Sequence, residues 1–303
     1  MKIFLDNVSI NSSSGPNGFA KKISEEFKKN HEVYTSVYKL MNDKVNPDVQ
    51  LSFIASECKL APIIQRLDGI YFNSEQDFMS LNLPIEATYN EADAVIFQSR
   101  FNKQLTESFF GQRKNSHVIS NGTNIRLIND ILPMSIPNLN KFEKVWCCAS
   151  SWRPHKRLKE NIRYFKECSK NNECLVIAGE NPDIREYDDR IFYAGHLSWL
   201  DLISLMKRSS YFIHLSWLDH CPNVVIDARA AGCQIICSSS GGTREIAGED
   251  AVIIQEDEWD FSPIKLYNPP DIDFTRRVNG KISPSCDIID VAESYLSVIS
   301  GVI

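Results

Sequence analysis

The sequence lacks the patterns that place a chain across a membrane or direct it out of the cell. No apolar run approaches the roughly 20 residues of a membrane-spanning helix. The N-terminal residues MKIFLDNVSI reach a charge too soon for a secretory signal and read instead as a first strand. We therefore expect a cytoplasmic protein without a transmembrane segment, and peripheral association with a membrane stays open.

The sequence also has little that indicates a metal or disulfide framework. Its nine cysteines are scattered and odd in number, and no CxxC pair suggests a zinc site. Buried free thiols in a reducing compartment account for this pattern better than metal ligands or disulfides do. The sequence therefore predicts no metal.

Charge and composition exclude further classes of protein. A net charge of −6 indicates no general surface for nucleic acid or anionic membranes, although local basic clusters can still bind phosphate. With 43% apolar and 24% charged residues, the 303-residue chain suits a soluble protein of two domains. There is no repeat of fixed period, and neither the dinucleotide fingerprint nor the P-loop spacing occurs, which weakens a dehydrogenase hypothesis.

Two series of alternating strand and helix patterns are present. Continuous apolar strands between amphipathic helices predict parallel sheets covered on both faces. The predicted fold class is α/β, with two Rossmann-like, doubly wound domains facing a cleft. The predicted domains span residues 1–125 and 144–287, joined by a linker at 126–143 that contains two prolines.

Local signals mark several element ends. Ser99 and Ser198 are predicted N-caps, and Gly111 is a predicted helix stop. Residues 33–38 read as a strand, and residues 256–284 are poorly patterned. The final helix places six apolar residues on neighbouring faces: Val291, Ala292, Tyr295, Leu296, Val298 and Ile299.

Candidate site residues lie in loops after strands, because doubly wound sheets bind ligands beyond the carboxyl ends of their strands. The polar loop at residues 11–18 contains Gly15, Asn17 and Gly18, which let backbone N–H groups approach a phosphate at a helix start. An ordinary turn explains this loop equally well. Arg66 and Asp68 project to one side after a later strand. They suit either an anion and a sugar hydroxyl, or a structural ion pair.

The second half contains two further loops of this kind. Three cations, Arg153, Lys156 and Arg157, follow a strand and open a helix, as a diphosphate clamp would, although a solvated basic turn is the alternative. Gly241 and Gly242 link another strand to a helix, where either a ligand approaches closely or the chain turns tightly.

Two carboxylates complete the candidates. Asp219 lies in a loop before a helix, where it reaches a ligand or caps the helix. Asp227 lies inside that helix among apolar residues, so it needs a partner. A sugar nucleotide lying along the helix start would meet both, since carboxylates accept hydrogen bonds from sugar hydroxyls.

Taken in order, these segments resemble the family-four (group 1) retaining glycosyltransferases, which have the B-type fold of two Rossmann-like domains. Asp219 and Asp227 stand at the spacing of the family's Glu-x7-Glu signature, as aspartates instead of glutamates. The family's arginine falls on Ser151, with Arg153 nearby, and Asp68 stands where the family has a histidine. The other matching motifs are GPNG at 15–18, SNGTN at 120–124, SWRPHK at 151–156 and GGTRE at 241–245.

The resemblance implies transfer of a hexose, in glycan biosynthesis, from a UDP- or GDP-sugar to a glycan, lipid or small-molecule hydroxyl. The reaction would proceed with retention and without a metal or other cofactor, and no nucleic acid would take part. The first domain would be the acceptor side, and the final helix, in residues 288–303, would cross back onto it. The implied catalytic residues are Asp68, Arg153, Lys156 and Asp219. The implied donor-binding residues are Gly15, Asn17, Gly18, Arg66, Ser151, Arg153, Lys156, Gly195, Asn223, Asp227, Gly241, Gly242 and Glu245.

Two alternatives stay open. The aspartates at the signature positions and Ser151 also suit a non-catalytic nucleotide- or glycan-binding protein that kept the fold. A sugar-nucleotide epimerase of the same fold would act on the nucleotide sugar with no acceptor.

Overall fold

The computed structural model describes residues 1–9, 12 and 15–303, which form two compact α/β units. Unit 1 comprises Met1–Asn124, Phe261–Ile264 and Ser285–Ile303. Unit 2 comprises Ile125–Asp260 and Lys265–Pro284. Residues 11, 13 and 14 of the first candidate loop lie outside the described residues.

Unit 1 is built on a six-stranded, wholly parallel sheet of order β2-β1-β3-β4-β5-β6. Its inner strands are buried along almost their whole length, as expected for a parallel sheet covered on both faces, and their buried residues include the polar Gln50, Ser52, Gln65 and Arg66. The strands are β1 (Lys2–Asp6), β2 (Glu32–Tyr34), β3 (Val49–Phe53), β4 (Ile63–Leu67), β5 (Ala94–Phe97) and β6 (Ser116–Val118).

Helices cover this sheet, and the first and last of them share one core with it. In that core Phe19 and Ile23 of the first helix meet Tyr295 and Val298 of the last. Ser99 accepts a hydrogen bond from the Asn102 N–H at 3.0 Å, which confirms this N-cap. The helices are α1 (Gly15–Phe27), α2 (Val37–Asn42), α3 (Phe78–Glu91), α4 (Arg100–Phe110) and α10 (Ile288–Ser300).

Three local features of unit 1 differ from the sequence predictions. Helix α1 begins at Gly15, so Gly15–Gly18 form its first turn and do not precede it. The strand predicted over residues 33–38 ends at Tyr34, and α2 starts at Val37 with Ser36 as its N-cap. Helix α3 was not predicted at all.

Unit 2 is built on a seven-stranded sheet of order β13-β12-β11-β10-β7-β8-β9, in which β13 alone pairs antiparallel. The strand β13 lies within residues 256–284, which the sequence left without a pattern. The strands are β7 (Lys144–Ala149), β8 (Glu173–Ala178), β9 (Ile191–Gly195), β10 (Tyr211–His214), β11 (Gln234–Ser238), β12 (Val252–Ile254) and β13 (Arg277–Asn279).

The helices of unit 2 follow the strands in alternation. Ser198 accepts a hydrogen bond from the Asp201 N–H at 3.2 Å, which confirms the second predicted N-cap. Residues 126–143 contain most of the first helix and a short 3-10 helix, Pro137–Leu139. The helices are α5 (Ile125–Asp130), α6 (Leu158–Cys168), α7 (Trp199–Arg208), α8 (Asn223–Ala230) and α9 (Thr243–Ile246). No helix in the described ranges has both the length and the apolar character that a bilayer requires.

Candidate functional site

Lys156, His214 and Asp219 form a charged cluster beyond the carboxyl ends of β7 and β10. Asp219 Oδ2 accepts hydrogen bonds from Lys156 Nζ at 2.6 Å and from His214 Nε2 at 3.1 Å. Asp219 Oδ1 makes no hydrogen bond to any residue that the structure describes. One oxygen of this carboxylate is thus anchored by protein groups, and the other remains able to accept from a ligand.

The electrostatics of the cluster fix its charge states. Burial by itself raises the pKa of the Asp219 carboxyl, but the charge of Lys156 and the hydrogen bond from His214 outweigh it and hold that pKa well below its usual value. Burial lowers the pKa of His214, and burial together with the charge of Lys156 lowers the pKa of His155 to about 3. At neutral pH the cluster therefore holds one anion, one cation and one neutral imidazole, and the adjacent His155 is neutral as well.

The backbone of Asp219 is held by the glycine pair that follows β11. The Gly242 N–H donates to the Asp219 carbonyl at 2.8 Å, and Asp219 and Gly241 form an isolated parallel bridge. Gly241 has φ +82°, and a Cβ there would lie 2.5 Å from the Asp219 carbonyl oxygen. The glycine pair therefore serves a close approach between two loops of the site.

Replacing Gly241 with alanine should destabilise unit 2, because the new methyl group meets backbone and the residue must keep a positive φ. We expect a loss of about 1–3 kcal/mol in the free energy of unfolding, measured by denaturant titration. Gly232→Ala is the matched control, since it has φ +94° but no atom within 4 Å of the added Cβ. Equal losses in the two variants would contradict a steric role for the close approach at Asp219.

Asp227 has the partner that its apolar surroundings require. The carboxylate is buried in α8, and its Oδ2 accepts a hydrogen bond from the Trp199 indole N–H at 2.9 Å. Trp199 is the first residue of α7 and is half-buried. The sequence indicated that a partner was needed but did not identify this tryptophan.

The three cations predicted as a clamp lie in different surroundings. Lys156 reaches Asp219, whereas Arg153 is exposed. Arg157 is buried and makes two 2.8 Å hydrogen bonds to the Glu256 carboxylate, so it is a structural ion pair and not part of a ligand clamp. No sequence pattern indicates this partner, because Glu256 lies in the poorly patterned stretch of residues 256–284.

The remaining candidates of unit 2 differ in exposure. Ser151 and Gly195 are exposed, and Asn223 and Glu245 are half-buried. Asn223 is the first residue of α8, and Glu245 lies in the first turn of α9. No group of three or more His, Cys, Asp or Glu residues in the described chain is arranged to hold a metal ion.

The candidates of unit 1 include a fully buried arginine. The Arg66 guanidinium lies over the Phe19 ring at 4.2 Å and donates to Asp68 Oδ2 at 2.5 Å. It also donates to Asn121 Oδ1 at 2.6 Å and to the Tyr295 hydroxyl at 3.1 Å. A guanidinium with 0% exposure and all three nitrogens hydrogen-bonded has no face for a ligand, so the structural ion pair is the better interpretation of Arg66.

Asp68 keeps limited access at the end of β4. Its Oδ2 is held by Arg66, its Oδ1 accepts from the Gln98 side-chain amide, and 15% of its side chain is exposed.

In α1, Gly15 and Gly18 lie in the first turn, and Asn17 Oδ1 accepts from the Ser9 N–H at 2.7 Å.

Comparison with solved structures establishes the fold class. The chain is similar to Anabaena HepE crystallised with UDP-glucose (15% identity, 99% of this chain and 100% of that chain covered, TM-score 0.66). It is also similar to a sucrose-phosphate synthase from Thermosynechococcus elongatus (11% identity, 99% and 96%, TM-score 0.67). The catalytic domain of Arabidopsis thaliana starch synthase IV, bound to ADP and acarbose, matches as well (11% identity, 99% and 98%, TM-score 0.64). The chain thus has the two-Rossmann-like fold of the glycosyltransferase B type, as predicted.

The family comparison is more specific. The model of the family described as glycosyl transferases group 1 matches residues 134–261, which include the Lys156, Asp219 and Asp227 positions. This match confirms the resemblance to the group 1 glycosyltransferases for that segment. No curated protein matches the sequence significantly.

Proposed function

We propose that this protein is a glycosyltransferase that moves a sugar from a nucleoside-diphosphate sugar to an acceptor hydroxyl. The observation that carries the proposal is the Lys156–Asp219 pair, which lies within the segment matched by the group 1 family. Lys156 offers a cation to a diphosphate, and Asp219 Oδ1 offers an acceptor to a sugar hydroxyl. The buried Asp227, oriented by Trp199, offers a carboxylate to the ribose hydroxyls.

In the proposed reaction, the bond between the anomeric carbon and the β-phosphate oxygen breaks while the acceptor oxygen bonds to that carbon. The acceptor proton passes to the departing phosphate, so no strong protein base is required. Lys156 stabilises the negative charge that develops on the leaving diphosphate. Transfer at one face of the sugar, with retention, follows the family resemblance, and metal independence is part of the same proposal.

The donor and acceptor are proposed only as classes. UDP-glucose accompanies the HepE structure and ADP the starch synthase structure, so sugar conjugates of UDP and ADP are tested beside those of GDP. A glycan, lipid or small-molecule hydroxyl is the proposed acceptor. The assignment of Asp68, Arg153 and the unit 1 glycines to the site stays a prediction.

The first test is a thermal-shift screen with UDP, GDP, ADP, dTDP and their common sugar conjugates. A ligand that binds only the folded state stabilises it by about 2.7 kcal/mol at a hundredfold excess over its dissociation constant. We expect one nucleoside diphosphate to raise the melting temperature selectively and its sugar conjugate to be consumed when acceptors are added. Binding without turnover of any conjugate would favour a non-catalytic binding protein. Rearrangement of the sugar without an acceptor would favour an epimerase.

Asp227→Asn should weaken binding of that nucleoside diphosphate by roughly 10- to 100-fold, since a hydrogen bond to a charged group contributes about 1.5–3 kcal/mol. The amide keeps the shape of the side chain and can still accept from Trp199, so the fold should persist. Titration calorimetry measures the affinity. Asp183→Asn, which removes an exposed charge of unit 2, is the control. Unchanged affinity in Asp227→Asn would refute the ribose role.

A further inference from the structure

We infer that Asp219 competes with the nucleotide's diphosphate for Lys156, and so weakens binding of the nucleoside-diphosphate product relative to the intact donor. This inference rests on the proposed function, because it assigns the diphosphate to Lys156. Its structural basis is the 2.6 Å ion pair between Lys156 Nζ and Asp219 Oδ2, in which both side chains are largely covered.

The other basic groups near Lys156 offer little positive charge to a diphosphate, so Lys156 is the main cation of the site. Arg157 is already neutralised by Glu256 at 2.8 Å on both guanidinium arms. His155 and His214 are neutral at physiological pH, because burial lowers the pKa of each. Arg153 is exposed, so solvent screens its charge. A diphosphate that arrives here meets one ammonium whose charge an adjacent carboxylate already balances.

The intact donor and the product differ in what they offer Asp219. The donor carries sugar hydroxyls that can donate to Asp219 Oδ1, which the described protein leaves without a hydrogen bond. The product has lost the sugar, so it donates no hydrogen bond to Asp219 when it draws Lys156 away from the carboxylate. The cost of separating the Lys156–Asp219 ion pair is offset in part for the donor and is not offset for the product. Asp219 therefore disfavours the product more than the donor.

His214 keeps the carboxylate in place during this exchange. Its neutral Nε2–H donates to the same Oδ2 at 3.1 Å, and His214 is the last residue of β10. When Lys156 turns to phosphate, this hydrogen bond and the backbone bridge to Gly241 still hold Asp219. After transfer, Asp219 is positioned to recapture Lys156 as the product leaves.

The test is Asp219→Asn, with calorimetric dissociation constants for the nucleoside diphosphate and for its sugar conjugate, using the nucleotide found in the screen. We expect the variant to bind the diphosphate roughly tenfold more tightly than the wild type does. The sugar conjugate should gain less or should lose affinity, so the preference for the donor over the product falls. Weaker binding of both ligands, or an equal gain for both, would overturn the inference.

A double-mutant cycle with Lys156→Ala separates competition from the general effect of removing a charge. If Asp219 acts through Lys156, the tighter diphosphate binding should disappear in the Lys156→Ala background. A gain that persists there would refute the competition. Asp219→Ser serves as a second variant if the asparagine form does not fold. A wild type that binds no nucleoside diphosphate would reject the proposed function itself, which is a different outcome from a wild type that binds and a variant that gains nothing.

Discussion

Lys156→Ala should reduce the rate of sugar transfer by roughly 10²- to 10³-fold, the usual cost of removing one group that stabilises developing charge in an active site. The affinity for the nucleoside diphosphate should fall with it, because the same ammonium faces the phosphates before and after transfer. Steady-state kinetics and product titration measure the two effects.

Lys159→Ala is the matched control for this variant. Lys159 is an exposed residue in the first turn of α6, close in sequence to Lys156. Removing it takes the same charge from the same unit, so it accounts for any long-range effect of net charge. A Lys156→Ala enzyme that melted earlier but transferred sugar at the wild-type rate would show that this lysine only supports the fold.

Much of the fold could be predicted because its signals are local. Strands β5 and β8 are runs of mainly apolar residues that are buried along their whole length, so no alternating pattern obscures them. The N-caps Ser99 and Ser198 and the stop at Gly111 depend only on neighbouring backbone groups. Such features are specified within a few residues of the chain.

Helix α3 shows where this local reasoning fails. It has Pro84 in its interior, which normally ends a helix. Its buried face includes Asn82 and Thr88, whereas Met79 and Leu83 are 71% and 63% exposed. Of its apolar residues only Ile85 and Tyr89 are buried, so apolar residues lie on both faces of the helix and weaken the helical pattern. Besides its N-cap, Asp77, the helix is anchored by the Asn82 side chain, which makes two hydrogen bonds with the backbone of Tyr71.

The site could be predicted in outline but not in its pairings. Lys156 and Asp219 both follow strands, which was enough to select them. Their ion pair, and the second hydrogen bond from His214, depend on bringing the ends of two strands together. The sequence could not distinguish a cation that faces a ligand from one buried in an ion pair. For this reason the sequence predicts Arg66 and Arg157 as ligand-binding groups, whereas both lie in buried ion pairs.

Arg157→Met should lower the free energy of unfolding of unit 2 by about 3–5 kcal/mol, because it leaves a buried carboxylate without its partner. The side chains of Arg157 and Glu256 are only 1% and 7% exposed, and Arg157 also donates to the Pro270 carbonyl at 2.8 Å. Methionine keeps much of the length and apolar volume of the arginine stem. Any conformational cost of the positive φ at this position is shared by both residues, since neither is glycine.

All five tryptophans of the chain lie in unit 2, so their fluorescence during urea unfolding reports on that unit. Arg276→Met is the control, because Arg276 pairs with Asp257 at 2.9 Å but the two side chains are 51% and 93% exposed. The loss of unfolding free energy in Arg276→Met should be about 0–1 kcal/mol.

The double variant Arg157→Met/Glu256→Met should recover part of the stability, because it removes the unpaired buried charge along with its partner. A double variant no more stable than Arg157→Met alone would show that Arg157 stabilises unit 2 through its packing and its hydrogen bond to the Pro270 carbonyl. Charge compensation of Glu256 would then contribute little to stability.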